Sequence, residues 1–217
     1  MTPPILQVQD LSFSYPGRHV FTGWCQAFGP GITWVRGDNG CGKSTLLKLL
    51  VGAVPAITGS FLLHGAPTDP ADMVNPAHRQ AVFWCGPGAV AFEHLQPAEF
   101  FGFMASLYPH FDTVLAQELA DELGLGPFMT RRLREMSTGT QRKVWLAAAF
   151  SANTPVVLLD EPLAALDLRS VRVVRELLQH HASDPDTAWI VASHDDLGEA
   201  EAHPGTVTVM LSAPEDA

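Results

Sequence analysis

Eight consecutive residues restrict this chain more than any other feature. Gly37-Asp38-Asn39-Gly40-Cys41-Gly42-Lys43-Ser44 reads as glycine, four variable positions, then Gly-Lys-Ser, the spacing of a phosphate-binding loop. Glycines at 37, 40 and 42 let backbone N–H groups turn inward around phosphate oxygens, while a following helix brings the positive end of its dipole to the same place. Lys43 is then placed to hold the β- and γ-phosphates of a nucleotide and Ser44 to ligate Mg²⁺, with Asn39, Cys41 and Thr45 completing the cradle. A glycine-rich turn that merely caps a helix is the alternative; the strand-loop-helix context sets it aside. Cys41 lies inside the loop, so bound nucleotide is expected to shield its thiol more than that of Cys25.

The rest of the chain supplies that context. Ile5 to Tyr15 alternates apolar and polar residues, Gly29-Pro30-Gly31 makes a turn, and Ile32 to Val35 is a short apolar strand feeding the loop. Leu46, Leu47, Leu49, Leu50 and Val51 give the stretch from Thr45 to Val54 the apolar breadth of a helix packed beneath a sheet. Helical stretches follow at Ala98 to Leu107 and Thr113 to Leu123, the second with Asp112 as N-cap. Beyond them the pattern predicts a helix from about Gln141 to Ala152, a strand from Val156 to Leu159, a helix from Leu168 to His181, and strands at Trp189 to Ala192 and Val207 to Leu211. Strands alternating with helices indicate an α/β fold with a mainly parallel sheet.

Composition excludes several functions. Thirteen basic residues against 23 acidic ones leave a net charge of −10, and Lys43, Lys48 and Lys143 are the only lysines, so the composition scarcely supplies the basic face that a non-specific grip on nucleic-acid phosphates needs. Three cysteines without metal-ligand spacing suggest neither a disulfide framework nor a zinc site, which suits a reducing cytosol. No apolar run reaches the roughly 18 residues of a spanning helix, and the N-terminus lacks the pattern of a signal peptide. A role at a membrane would therefore require another anchor.

Val156-Val157-Leu158-Leu159-Asp160-Glu161 is a buried-strand pattern ending in two carboxylates. In a phosphate-loop protein this position faces the Mg²⁺–triphosphate. Asp160 is then suited to organise the metal's hydration and Glu161 to act as general base on the attacking water. Taken alone, the pair is also what a strand emerging into solvent looks like.

Met136-Ser137-Thr138-Gly139-Thr140-Gln141-Arg142, just before a helix and 23 positions ahead of Asp160, resembles the LSGGQ signature of ATP-binding cassette (ABC) ATPases. The remaining landmarks of that family appear in order over nearly the whole chain. Tyr15 is similar to the aromatic that stacks on adenine, Ala164-Ala165-Leu166-Asp167 to the D-loop, and His194 to the switch histidine that senses the γ-phosphate. Read locally, Tyr15 is also a strand's last packed residue, and Asp167 also a helix cap.

The resemblance implies a P-loop NTPase (RecA-like) core of mainly parallel sheet, an N-terminal antiparallel β subdomain and an inserted α-helical subdomain. It implies one domain over residues 1–217. Residues 1–85 and 141–217 would form the β subdomain and core, and about 86–140 the Q-loop region, helical subdomain and signature. It also implies ATP hydrolysis with Mg²⁺ in a homodimer, because Ser137 and Gly139 would contact nucleotide held by the other subunit's P-loop. A separate transmembrane permease would bind near residues 86–108, where Phe92, Phe100, Phe101, Phe103, Met104 and Tyr108 cluster, placing the protein on the cytoplasmic face of a membrane. Size and a loose signature are similar to those of the haem-exporter ATPase of cytochrome c maturation.

Two positions depart from the family pattern. Thr138 and Thr140 replace the usual signature residues, and Gly86, followed by Pro87 and Gly88, stands where a Q-loop glutamine normally follows the strand Ala81 to Cys85. A water, or Glu93 reaching in, is left as the substitute; Gln80 and Gln96 lie before and beyond. Two other readings stay open: a soluble, non-transport ABC ATPase, and a nucleotide-sensing module that dimerises with little turnover.

Overall fold

The computed structural model describes residues 3–72, 76–86 and 92–212. Two sheets organise them. The first is antiparallel, ordered β2-β1-β4-β5, from β1 (Leu6–Tyr15), β2 (Arg18–Phe28), β4 (Thr58–Leu63) and β5 (Ala66–Thr68). The second is parallel, ordered β6-β7-β8-β3-β9, from β3 (Gly31–Arg36), β6 (Val82–Cys85), β7 (Val156–Asp160), β8 (Ala188–Ala192) and β9 (Thr206–Met210). Six helices accompany them: α1 (Lys43–Leu50), α2 (Ala77–Ala81), α3 (Pro97–Leu107), α4 (Thr113–Glu122), α5 (Thr138–Phe150) and α6 (Leu168–His181).

Why these segments take these forms is visible residue by residue. Every residue of β7 and β8 is buried, as expected for parallel strands covered on both faces. In β1 the buried positions run Leu6, Val8, Leu11, Phe13, and the step of three is absorbed by a register shift around Asp10, whose φ is +57°. The extra residue restores the inward phase that strict alternation would have lost.

Helix α1 is shorter than the expected Thr45–Val54. Gly52 ends the run at φ +75°, and a Cβ there would lie 1.9 Å from the Pro70 carbonyl oxygen, so the chain turns away. Helix α5 starts three residues earlier than expected, at Thr138, because the Ser137 hydroxyl accepts from the Thr140 N–H at 3.2 Å and caps it. Asp112 caps α4 as expected, its Oδ1 accepting from the N–H groups of Val114 and Leu115, each at 2.9 Å.

The parallel sheet separates two cores. One face meets α1 and the antiparallel sheet through Leu46, Leu47, Val82, Leu158 and Ile190. The other meets the helical layer through Phe83, Phe100, Leu119, Val144 and Val191. Residues alternate between these faces along each strand, which decides what emerges beside the phosphate loop.

Candidate active site

In an open parallel sheet, ligands bind outside the C-terminal strand ends, and those ends gather the singled-out residues. The loop after β3 runs through Gly37, Gly40 and Gly42 with φ of +149°, +83° and +110°, conformations that a side chain disfavours. Space forbids one as well. A Cβ at Gly37 would lie 2.3 Å from the Leu211 carbonyl oxygen and 2.6 Å from the Cys41 sulfur. The Lys43 ammonium donates to the carbonyls of Gly37 at 2.6 Å and Asp38 at 3.2 Å. It therefore spans the mouth of the loop while its stem is buried.

Arg18, Asn39, Gly40, Gly42, Lys43, Ser44, Thr45, Glu161 and His194 enclose a cleft of about 400 Å³. Tyr15, Ser137, Gly139 and Asp167 are not among its walls. Cys41 corrects an expectation: its thiol is buried, 1% exposed, against an exposed Cys25. The fold already shields Cys41, so its alkylation is a poor reporter of nucleotide.

Asp160 is 1% exposed at the end of β7. Its Oδ1 accepts from the Ser44 hydroxyl at 3.1 Å, and its Oδ2 has no partner among the described residues. Burial pushes its pKa above the ordinary carboxylate value, opposed mainly by the Ser44 hydrogen bond. A buried carboxylate with one oxygen unanswered, beside a hydroxyl, fits a divalent cation.

Glu161 follows with φ of +50°, strained for a residue with a Cβ. Contacts with the neighbouring strand end hold it. Its N–H donates to the Ala192 carbonyl at 2.8 Å, the Ser193 hydroxyl donates to its Oε2 at 3.3 Å, and His194 Nδ1 lies 2.9 Å from the same oxygen. Chiefly through the hydrogen bond to Glu161, the His194 pKa is raised above its ordinary value. One imidazole and one carboxylate thus hold each other at the edge of the cleft.

The signature lies at the start of α5 and is tied to the acidic strand end by the last residue of the Met136–Arg142 stretch, to which sequence alone assigns no role. Arg142 donates to the carbonyls of Asp160 at 3.0 Å and Glu161 at 2.6 Å. Gly139 is required sterically, because a Cβ there would sit 2.3 Å from the Ala165 carbonyl oxygen in the D-loop. Asp167 caps α6 by accepting from the Ser170 N–H at 2.9 Å and also pairs with Lys143 Nζ at 2.5 Å. The Lys143 hydrogen bond, above all, holds its carboxyl far below the usual range. Tyr15, 40% exposed at the end of β1, packs edge-on against Phe13 with ring centroids 4.9 Å apart, which leaves part of its ring open.

Arg18 was also missed, although a basic residue three positions after Tyr15 is a readable signal. It lines the cleft and donates to the Gly40 carbonyl. Glu93, the side chain suggested in place of the Q-loop glutamine, is not in the cleft wall, and neither are Gln80 and Gln96. Gln80 is exposed on α2, Glu93 is exposed with its carbonyl accepting from Arg134, and Gln96 caps α3 in a reciprocal pairing with Glu99. Pro87 and Gly88 lie outside the described residues.

A phosphate loop, a buried Asp beside its serine, and a Glu–His pair at neighbouring strand ends define a P-loop ATPase. Residues 30–164 match the family model described as ABC transporter, more than half the chain, and the chain belongs to that family as an ATP-binding, ATPase-type subunit. It is 34% identical over 214 residues to the cytochrome c biogenesis ATP-binding export protein CcmA of Cupriavidus necator, covering 97% of this chain and 89% of that one. It is 29% identical over 203 residues to the molybdenum import ATP-binding protein ModC of Rhodobacter capsulatus, covering 93% of this chain and 52% of ModC. The chain thus spans about half the length of one relative and most of the other. In three dimensions it superposes on the ATP-binding subunit of an ABC transporter with a TM-score of 0.80 at 23% identity, covering 95% of this chain and 85% of that one. No described helix is long and apolar enough to cross a membrane.

Proposed function

We propose that two copies of this chain meet head to tail around two molecules of ATP, that hydrolysis lets them part, and that the motion drives a separate membrane permease. The observation that carries this reading is the Glu161–His194 contact of 2.9 Å in the same cleft as Lys43 and Ser44. Three motifs spread over more than 150 residues of sequence, the phosphate loop, the acidic strand end and the switch histidine, meet there and supply parts that phosphoryl transfer to water requires.

In this reading Gly37, Asn39, Gly40, Cys41, Gly42 and Thr45 contribute backbone or side chain to the phosphate cradle, and Lys43 leaves its two carbonyls for the β- and γ-phosphates. Arg18 offers a second cation at the cleft wall. Tyr15 stacks on the base. Ser44 and Asp160 would hold Mg²⁺, which when bound neutralises charge on the phosphate oxygens. Glu161 takes a proton from the attacking water, with His194 orienting its carboxylate and facing the terminal phosphate. Ser137 and Gly139 complete the site of the opposite copy, and Asp167 holds the D-loop against α5 through Lys143.

The permease surface is assigned to the outer side of α3. Phe100, Phe101 and Met104 are buried in the helical layer, whereas Phe103 and Leu107 remain 37% and 44% exposed. The subunit would then sit on the cytoplasmic face of the membrane through that contact.

The test uses Glu161→Gln, which keeps the shape of the side chain and removes the base. With saturating MgATP it should elute at twice its nucleotide-free mass by light scattering, while the parent protein hydrolyses ATP and returns to monomer. A variant that stays monomeric under those conditions, alone and beside the co-purified membrane partner, rejects the head-to-tail reading.

A further inference from the structure

Gly86 is not simply a lost glutamine. Strand β6 runs parallel to β7 with Val82 opposite Val156 and Cys85 opposite Leu159, so one further step brings Gly86 alongside Asp160. Alternation fixes the direction. Val82 and Trp84 pack on the α1 side of the sheet, Phe83 and Cys85 on the helical-layer side. Position 86 therefore faces α1, the side from which Ser44 reaches Asp160 Oδ1.

That space is already taken by Trp84. A Cβ at Gly86 would lie 2.4 Å from Cζ2, 2.5 Å from Cε2 and 2.8 Å from Nε1 of the Trp84 indole. These distances forbid any side chain at 86 while the ring stays in place. The ring also brings a polar group. Trp84 Nε1 is buried and makes no hydrogen bond among the described residues, like Asp160 Oδ2 on the neighbouring strand. An indole N–H only donates. A buried donor without an acceptor is costly enough to require an explanation. Direct pairing with Asp160 is not made and no described residue accepts from the indole, which leaves its N–H free to donate to a bound group.

We propose that Trp84 replaces the Q-loop glutamine and that its indole N–H donates to a terminal-phosphate oxygen of bound ATP. This rests on the reading of the cleft as an ATP site. The terminal phosphate is the choice because Ser44 and Asp160 are the residues that would hold a cation beside the phosphates, and position 86 is the neighbour of Asp160. An indole cannot ligate the metal as a glutamine carbonyl does, so the replacement conserves a hydrogen bond and gives up a ligand. Gly86 is then part of the device, since only glycine leaves room for the ring.

The experiment is calorimetric titration of MgATP and MgADP into Glu161→Gln, and into that protein carrying either Trp84→Phe or Gly86→Ala. Trp84→Phe keeps an aromatic filler and removes the donor. It should weaken MgATP binding about tenfold, the size of a hydrogen bond to a charged acceptor, and leave MgADP within about twofold, since ADP lacks the terminal phosphate. Gly86→Ala keeps the indole but displaces it, and should reproduce the same loss. Undiminished MgATP affinity in Trp84→Phe overturns the inference, as does an equal loss for both nucleotides, which marks packing damage. No MgATP binding by Glu161→Gln itself overturns the ATP-site reading first, independently of Trp84.

Discussion

Replacing Asp160 by Asn separates what the fold wants at this position from what the chemistry wants. The carboxylate is buried, with one oxygen unpartnered among the described residues. Its ionisation is opposed by desolvation and eased by Ser44, Arg142 and Lys48. An unsatisfied buried group costs about 1–3 kcal/mol, more when charged. The amide leaves an orphan N–H in its place, so the net relief is about 1–2 kcal/mol. At this chain length each kcal/mol moves Tm by about 2–4 °C, so Asp160→Asn should melt about 2–8 °C higher without ligand.

The pH dependence has a defined sign. Below the unfolded-state pKa of about 3.9 the wild-type carboxyl is neutral in both states and the fold carries no penalty. As pH rises through the raised folded-state value, ionisation favours the unfolded chain, and wild-type stability is lost relative to the variant. The gap should therefore be absent near pH 4 and wider at pH 8. Saturating MgATP reverses the order. At one hundred times Kd a ligand adds about 2.7 kcal/mol, roughly 5–11 °C here, to wild type and much less to the variant. Differential scanning fluorimetry at both pH values, with and without MgATP, reads all of this. Equal ligand-free melting at pH 8, or an undiminished MgATP shift in Asp160→Asn, refutes the assignment of that orphan oxygen to a cation.

Other consequences are narrower. In Glu161→Gln the His194 imidazole loses the partner that chiefly raises its pKa, so its NMR titration midpoint should fall toward that of a free histidine; an unmoved midpoint means the pair is not formed in solution. Gly52→Ala places a methyl group 1.9 Å from the Pro70 carbonyl at φ +75°, and left-handed strain alone costs about 1–2 kcal/mol. Thermal melting should drop by at least about 2–4 °C, and an unchanged Tm would show that the α1 exit differs.

Much of this architecture was readable because its causes are local in sequence. The phosphate loop shows itself through glycine spacing, β7 through an unbroken apolar run, and the cap of α4 through one aspartate before a periodic stretch. Errors arose where the cause is distant. Helix α1 stops before Gly52, whose left-handed φ and close approach to Pro70, eighteen residues beyond, leave no room for a side chain. Cys41 is buried in a core cluster that also takes in Leu211, the residue after β9 and 170 positions further along the chain.

The end of β6 shows the same limit in its sharpest form. Along the chain from Gly86 the polar side chains near the gap are Gln80, Glu93 and Gln96, and sequence proximity offers only Glu93, or a water, as a substitute for the missing amide. In a strand, the side chain that covers position i on one face belongs to i−2 or i+2, and an aromatic long enough to lean along the strand fills its neighbour's place. Trp84 does this at 2.4–2.8 Å from where a Cβ would stand, so the tryptophan and the glycine are one substitution. A glutamine restored at 86 with Trp84 left in place would therefore meet the indole rather than the cleft, and recovery of the family pattern at this site requires both residues to change together.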